Sequence, residues 1–363
     1  MNHPAWCVAI AWVVLAVCPA ASLTVAGQGA VEQQHLFFGF GTSKPEDPAV
    51  KRQRGKDAVN GVRDRLAGLG YEANVLLDAD KKEPDAGGPA PGRVTGADVT
   101  NALGALRRRL TTNDTVILYS HTHGVKKREN WPGGMVLDAV AEDARDRRPG
   151  LNWAHYAEQV LTLPAKTVVV LTMSCYSGGL VAFLNTDEKA RSLWQARREQ
   201  GRDFVVITSQ NATSLSNPRP IEGDFINPFT YAVFRAFDGA ADGYRREQAE
   251  KTPDGRITLG ELTAFIVDEA KRHTRADDAA NDPDPQMTGS FDPGRVVAVL
   301  PTAPATAPMP RVGDLKVDGE RWTCVADGKP LSGLLRKPAG AGPLPAVVLS
   351  HGLGGNAQAI MRT

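Results

Sequence analysis

"VILYSHTHGV" (residues 116–125) and "VVVLTMSCYSGGL" (residues 168–180) share one shape: an apolar, largely β-branched run that stops at a reactive side chain beside glycine. The first run ends on His123-Gly124, and the second on Cys175, with Ser177-Gly178-Gly179 close behind. Short runs that are apolar on both faces read as buried strands of a parallel sheet. Outward from them, strands alternate with helical spacing. Residues 36–40 form an apolar strand, and 49–69 a helix with Val59, Val62, Leu66 and Leu69 on one stripe. Residues 71–77 alternate as a strand ending at Asp78, and 81–93 are a Gly/Pro/charge loop. Thr95 with Asp98 three residues on reads as a helix start, and that helix runs to about Arg109. Further strands are expected at 115–119, 167–172, 204–208 and, last, 295–300. Helices are expected near 153–161, 189–198, 229–237 and 259–272.

This pattern implies an α/β fold with a mainly parallel sheet of about six strands and helices on both faces. Such sheets bind and react at the carboxyl ends of their strands, where His123 and Cys175 both fall. The chemistry agrees with the position. A thiol at its ordinary pKa of about 8.5 is only a few per cent thiolate at neutral pH and needs a base. An imidazole in reach can take its proton and later give one to a leaving amine. The glycine after His123 lets main chain pass close to a substrate, and the N–H groups of Gly124 and Cys175 are candidate oxyanion donors. Ser177-Gly178-Gly179 is expected to form the tight turn that frees the cysteine from its strand. The bland alternative is a buried core cysteine.

Two hydrophobic blocks ending in His-Gly and then Cys resemble the caspase-like cysteine peptidases, the clan of caspases, metacaspases and legumains. The histidine lies 175 − 123 = 52 residues before the cysteine, close to the caspase spacing of about 50. "SCYSGG" is similar to the cysteine segment of bacterial members. "GKDAVNGVRDRLAGLGYEANVLLD" resembles the first helix and second strand, while "INPFTYAVFRAF" and "DGRITLGELTAFI" resemble the C-terminal helices. The resemblance spans roughly residues 32–300. It implies a peptidase acting on polypeptides, with Cys175 as nucleophile, His123 as base and Gly124 in the oxyanion hole. It departs from the pattern at Met173, where caspases carry Gln and metacaspases Asp in the pocket for the residue before the cut. Neither a basic nor an acidic preference at that residue carries over. The non-enzymatic alternative is a caspase-like scaffold that binds peptides without cutting them.

Two metal readings arise. His121 and His123 in "HTH" fall on one strand face and suggest a zinc pair, but no third ligand stands at motif spacing. The expected site holds no metal and no cofactor. "EKTPDGRITLGE" (residues 250–261) resembles a calcium loop at Asp254, Gly255, Ile257 and Glu261, with Glu at the first position and Thr at the third. The plainer reading is a turn and a helix capped by Thr258 with Glu261 three residues later. Calcium activation is the minor reading.

The rest bounds location and partners. Residues 1–30 read as a signal peptide, with an apolar core over 5–18 and cleavage after Ala20, Ala21, Ala26 or Ala30. Its first residues, "MNHPA", hold no Lys or Arg, which leaves a mis-assigned start or an uncleaved anchor as alternatives. The protein is thus expected to be secreted or periplasmic, without stable membrane association once the leader is removed. Cys7 and Cys18 would leave with it, so only Cys175 and Cys324 remain, on either side of a linker unsuited to a disulfide. With 42 basic and 41 acidic residues the net charge is +1, so nothing in the charge points to nucleic acid. Residues 301–311 are a Pro/Ala-rich linker. Residues 312–363 read as strand, turn, strand and then a buried strand ending in "SHGLGGN". They resemble the opening of a dienelactone-hydrolase-like α/β-hydrolase, in which His351 would be a loop residue. Such a domain needs roughly 200 residues in one piece. The competing enzyme reading makes the caspase-like part the accessory of a longer esterase of that type.

Overall fold

The computed structural model describes residues 33–42, 55–78, 94–129, 133–137, 150–244, 253–273 and 283–301, together with the strands 316–318, 321–326 and 329–334. Elements follow in chain order: β1 (His35–Gly41), α1 (Gly55–Gly68), β2 (Glu72–Leu77), α2 (Gly96–Arg109) and β3 (Thr115–His121). Three short strands come next, β4 (His123–Val125), β5 (Gly134–Val136) and β6 (Leu151–Asn152), then α3 (Trp153–Leu161), β7 (Thr167–Met173), α4 (Gly178–Thr186) and α5 (Glu188–Glu199). They are followed by β8 (Asp203–Thr208), β9 (Arg219–Ile221), β10 (Asp224–Ile226), α6 (Pro228–Arg235), β11 (Arg256–Thr258) and α7 (Leu259–Lys271). The last are β12 (Gln286–Ser290), β13 (Val296–Val299), β14 (Lys316–Asp318), β15 (Arg321–Ala326) and β16 (Lys329–Leu334).

The main sheet has six strands in the order β12-β8-β7-β3-β1-β2, all parallel except the antiparallel edge strand β12. Alternation along each strand sorts side chains onto two cores. Leu36, Phe38, Phe40, Val116, Leu118, Val168, Val170, Phe204 and Val206 face α2, α3, α4 and α5. Phe37, Ile117, Tyr119, Val169, Leu171, Met173, Val205 and Ile207 face α1, α6 and α7. The fold is α/β with helices on both faces, as the apolar runs imply. Strand order reverses between β1 and β3, and β3 and β7 lie side by side one strand on from that switch point.

The expected last strand is corrected by the structure. Val296–Val299 does not enter the main sheet but pairs antiparallel with β11 in a separate ribbon. The sixth strand is β12, "QMTGS", whose outer positions stay partly exposed because it is an edge. The helix expected from 49 is described only from Gly55. The helix expected over 229–237 starts at Pro228 and passes into a π turn at Ala236–Ala240. Thr95 and Thr258 cap α2 and α7 in reciprocal capping boxes with Asp98 and Glu261, as their spacing predicts. Strands β14–β16 form an antiparallel meander, matching the strand-turn-strand reading there. The leader, residues 302–311 of the linker and the "SHGLGGN" stretch lie outside the described residues. Among the described residues no helix is long and apolar enough to cross a membrane.

Candidate functional site

Register brings the two runs level. His121, the last residue of β3, pairs with Met173, the last of β7, so His123 and Cys175 each stand two residues beyond a matched pair. The Thr122 N–H donates to the Met173 carbonyl (3.0 Å) and holds the two strand ends together. Beyond them the chains diverge. β4, carrying His123 and Gly124, turns into a small antiparallel sheet with β5 and β6, while Cys175 enters a turn leading into α4.

Gly124 lies directly against that turn. A Cβ built on Gly124 would fall 1.8 Å from the Cys175 carbonyl oxygen and 3.0 Å from Ser174 Oγ. Only glycine fits, because the two nearest obstructing atoms, the Cys175 carbonyl oxygen and carbon, are main chain. The glycine after the histidine thus has a packing reason as well as the chemical one anticipated for it. The turn itself lies two residues earlier than expected. Gly178 and Gly179 open α4, and the reversal falls on Cys175, Tyr176 and Ser177. Tyr176 takes the left-handed conformation there (φ 57°), which costs a residue with a Cβ about 1–2 kcal/mol. Its N–H donates to the Ser214 carbonyl (2.9 Å), which helps hold that conformation.

The half-buried Cys175 sulfur faces the Ser216 peptide, whose N–H donates to Sγ at 3.3 Å. Burial pushes the thiol pKa up, and the Ser216 hydrogen bond works against that shift. Beneath the turn lies a neutral polar network. Ser209 Oγ donates to the Ser174 carbonyl (3.1 Å) and meets Ser177 Oγ (3.2 Å), and Ser216 Oγ accepts from Asn227 Nδ2 (2.8 Å). Ser209, Ser216 and Asn227 were not singled out from the sequence. The available signal was the polar stretch "SQNATSLSN" directly after β8, at the same sheet edge.

The two histidines part company. His121 Nδ1 lies 3.3 Å from the Tyr119 hydroxyl and 3.5 Å from Thr230 Oγ1. Desolvation, with the nearby His123 adding to it, lowers its pKa to about 3, so it is neutral at physiological pH. His123 sits on β4, half-buried, beside the glycine that touches the cysteine turn. Among the described residues no three His, Cys, Asp or Glu side chains gather as a metal-binding group. Two of the calcium-loop-like positions are taken up by main-chain donors. Asp254 Oδ1 accepts from the Arg256 N–H (2.9 Å), and Glu261 accepts from Gly243 (3.0 Å) and Thr258 (2.9 Å).

The architecture is similar to the crystal structure of caspase-1 from Spodoptera frugiperda. The TM-score is 0.44 at 12% identity, over 74% of this chain and 91% of that one. No protein-family model matches the chain, and no curated protein matches it.

Proposed function

We propose that the chain is a cysteine-type endopeptidase, with Cys175 as nucleophile and His123 as general base, acting on polypeptides outside the cytoplasm. The observation that supports it most is the contact of Gly124 with the Cys175 carbonyl at the level ends of β3 and β7. Two residues 52 apart in sequence stand just beyond the level ends of neighbouring strands, at the sheet edge where reaction chemistry is expected. In this mechanism the imidazole takes the S–H proton and Sγ bonds to the scissile carbonyl carbon. The oxyanion formed is met by the N–H groups of Gly124 and Cys175. The C–N bond then breaks as the imidazolium protonates the leaving amine. Water, deprotonated by the same imidazole, attacks the thioester carbon and releases the acid and the thiolate, which regains the proton. His123 fits the base role better than His121, whose Nδ1 faces Tyr119 and Thr230.

The test is hydrolysis of a fluorogenic peptide library, varied at the residue before the cut, by the full chain with and without calcium. Cys175→Ala and His123→Ala are each expected to lower the rate about 1,000-fold or more. Activity surviving Cys175→Ala overturns the nucleophile. A peptide-binding scaffold is the second reading, motivated by the burial that holds Cys175 as a thiol at neutral pH. A peptidyl acyloxymethyl ketone separates the two, because a scaffold leaves Cys175 unlabelled.

A further inference from the structure

Ser216 meets the reactive sulfur with its main chain and the protein interior with its side chain. Its N–H donates to Cys175 Sγ (3.3 Å), and its carbonyl lies 3.9 Å from Sγ, placed to accept the S–H. Its hydroxyl turns inward to Ser209 Oγ (3.2 Å), with Met173 Sδ as the alternative acceptor (3.6 Å), and accepts from Asn227 Nδ2 (2.8 Å). The orientation of the Asn227 amide follows from its other end. There it meets the Phe229 N–H (2.9 Å), which can only donate, so the oxygen faces α6 and the nitrogen faces Ser216. Ser209 and Asn227 are 1% and 4% exposed, so this relay runs beneath the Ser216 segment, away from solvent.

We infer that Asn227 is a positioning residue: through Ser216 Oγ it aligns the Ser216 N–H on the Cys175 sulfur and so favours the reactive thiolate. The inference rests on Cys175 being the reacting atom. An N–H···S bond is directional, so a small drift of the peptide weakens it. The segment would drift rather than lift, because Ser214 stays bonded to the Tyr176 N–H and Arg219 begins β9. The titratable or charged groups on the surrounding elements are His123 on β4, His121 on β3 and Arg219, whose guanidinium donates to the His273 carbonyl. All three persist in the variants proposed below.

The experiment is alkylation of the full chain by iodoacetamide across pH, followed by the mass of the peptide containing Cys175. Asn227→Ser keeps a neutral helix cap on α6 but is too short to reach Ser216. Ser216→Ala removes the hydroxyl and leaves the peptide N–H. Both should raise the midpoint of the profile and slow alkylation at pH 7.5 about threefold, and the double variant should fall no further than either alone. An unchanged profile in folded variants makes the relay merely structural and overturns the inference. A lowered midpoint also overturns it, since Ser216 would then be a cover whose release wets the sulfur. If Asn227→Ser unfolds, Ser216→Ala decides alone, because Ser216 caps no helix. Alkylation proceeds whether or not peptides are cut, so failure here is distinct from failure of the peptidase reading.

Discussion

The two ends of the main sheet are built on opposite principles. At the amino ends of β7 and β8 a buried arginine closes the structure. Arg197, 1% exposed, donates to the carbonyls of Leu161, Leu163, Ala165 and Asp203. Asp203 in turn accepts from Arg295 Nε (2.7 Å) and the Asp292 N–H (2.8 Å). Charge is present there: Asp203 and Arg295 pair, and the Arg197 terminal nitrogens meet carbonyls, while Arg197 Nε is buried without a hydrogen bond. At the carboxyl end of β3 some polar groups lack partners: Ser120 Oγ and Thr122 Oγ1 are buried without a hydrogen bond. Tyr176 adds its left-handed backbone at the same edge. Unpaired groups and strain of this kind gather where a structure must receive something. The amino end carries the larger share of charged contacts, and the carboxyl end is where the proposed chemistry is placed.

The contrast can be broken first at its closed end. Arg197→Met should strand several buried carbonyls and cost about 3–5 kcal/mol, read as a lowered urea midpoint, with peptide hydrolysis per folded molecule unchanged. Desolvation lowers the Arg197 pKa to about 10, still far above neutrality, so the clamp holds its charge throughout the working range. A loss below about 1 kcal/mol would mean that the carbonyls find water instead, and that the two ends differ less than the hydrogen bonds suggest.

At the open end, Gly124→Ala places a methyl into main chain rather than into a yielding side chain. A loss of about 1–3 kcal/mol is expected, and hydrolysis should fall about 100-fold as the turn shifts. Full activity in Gly124→Ala would mean that the β4–cysteine contact does not position the site.

The smallest effect is a pH dependence. The folded pKa of His121 is about 3, against an ordinary value near 6.5. Below about pH 6.5 the unfolded chain takes up a proton that the folded chain refuses, so stability is full above that pH and is lost as pH falls toward 3. The loss should reach about 1–2 kcal/mol by pH 5, and His121→Leu should flatten the curve over that window. A slope unchanged by the substitution would place the acid sensitivity elsewhere.

Much of the scaffold was legible because it is local or strongly periodic. The capping boxes at Thr95 and Thr258 need only residues three apart. The apolar strands β3, β7 and β8 announce themselves because both of their faces are buried. β12 was missed for the converse reason: it is an edge strand with one core-facing threonine, and "QMTGS" carries no apolar run. Val296–Val299 looked like a strand and is one, but hydrophobicity does not say which sheet a strand will join.

Composition and pattern alone determined that the chain folds as α/β, that two apolar runs lead into His-Gly and Cys, and that the edge they share is the place to look. Those features depend on burial and short-range geometry, which a sequence carries within a few residues. Only the tertiary structure decided that β3 and β7 are neighbours in matched register, that Gly124 touches Cys175, and that His121 Nδ1 faces Tyr119. It alone also set the Ser216 peptide against the sulfur. These relations join residues tens of positions apart and are settled by how strands order and helices pack around them, a choice no local stretch makes by itself.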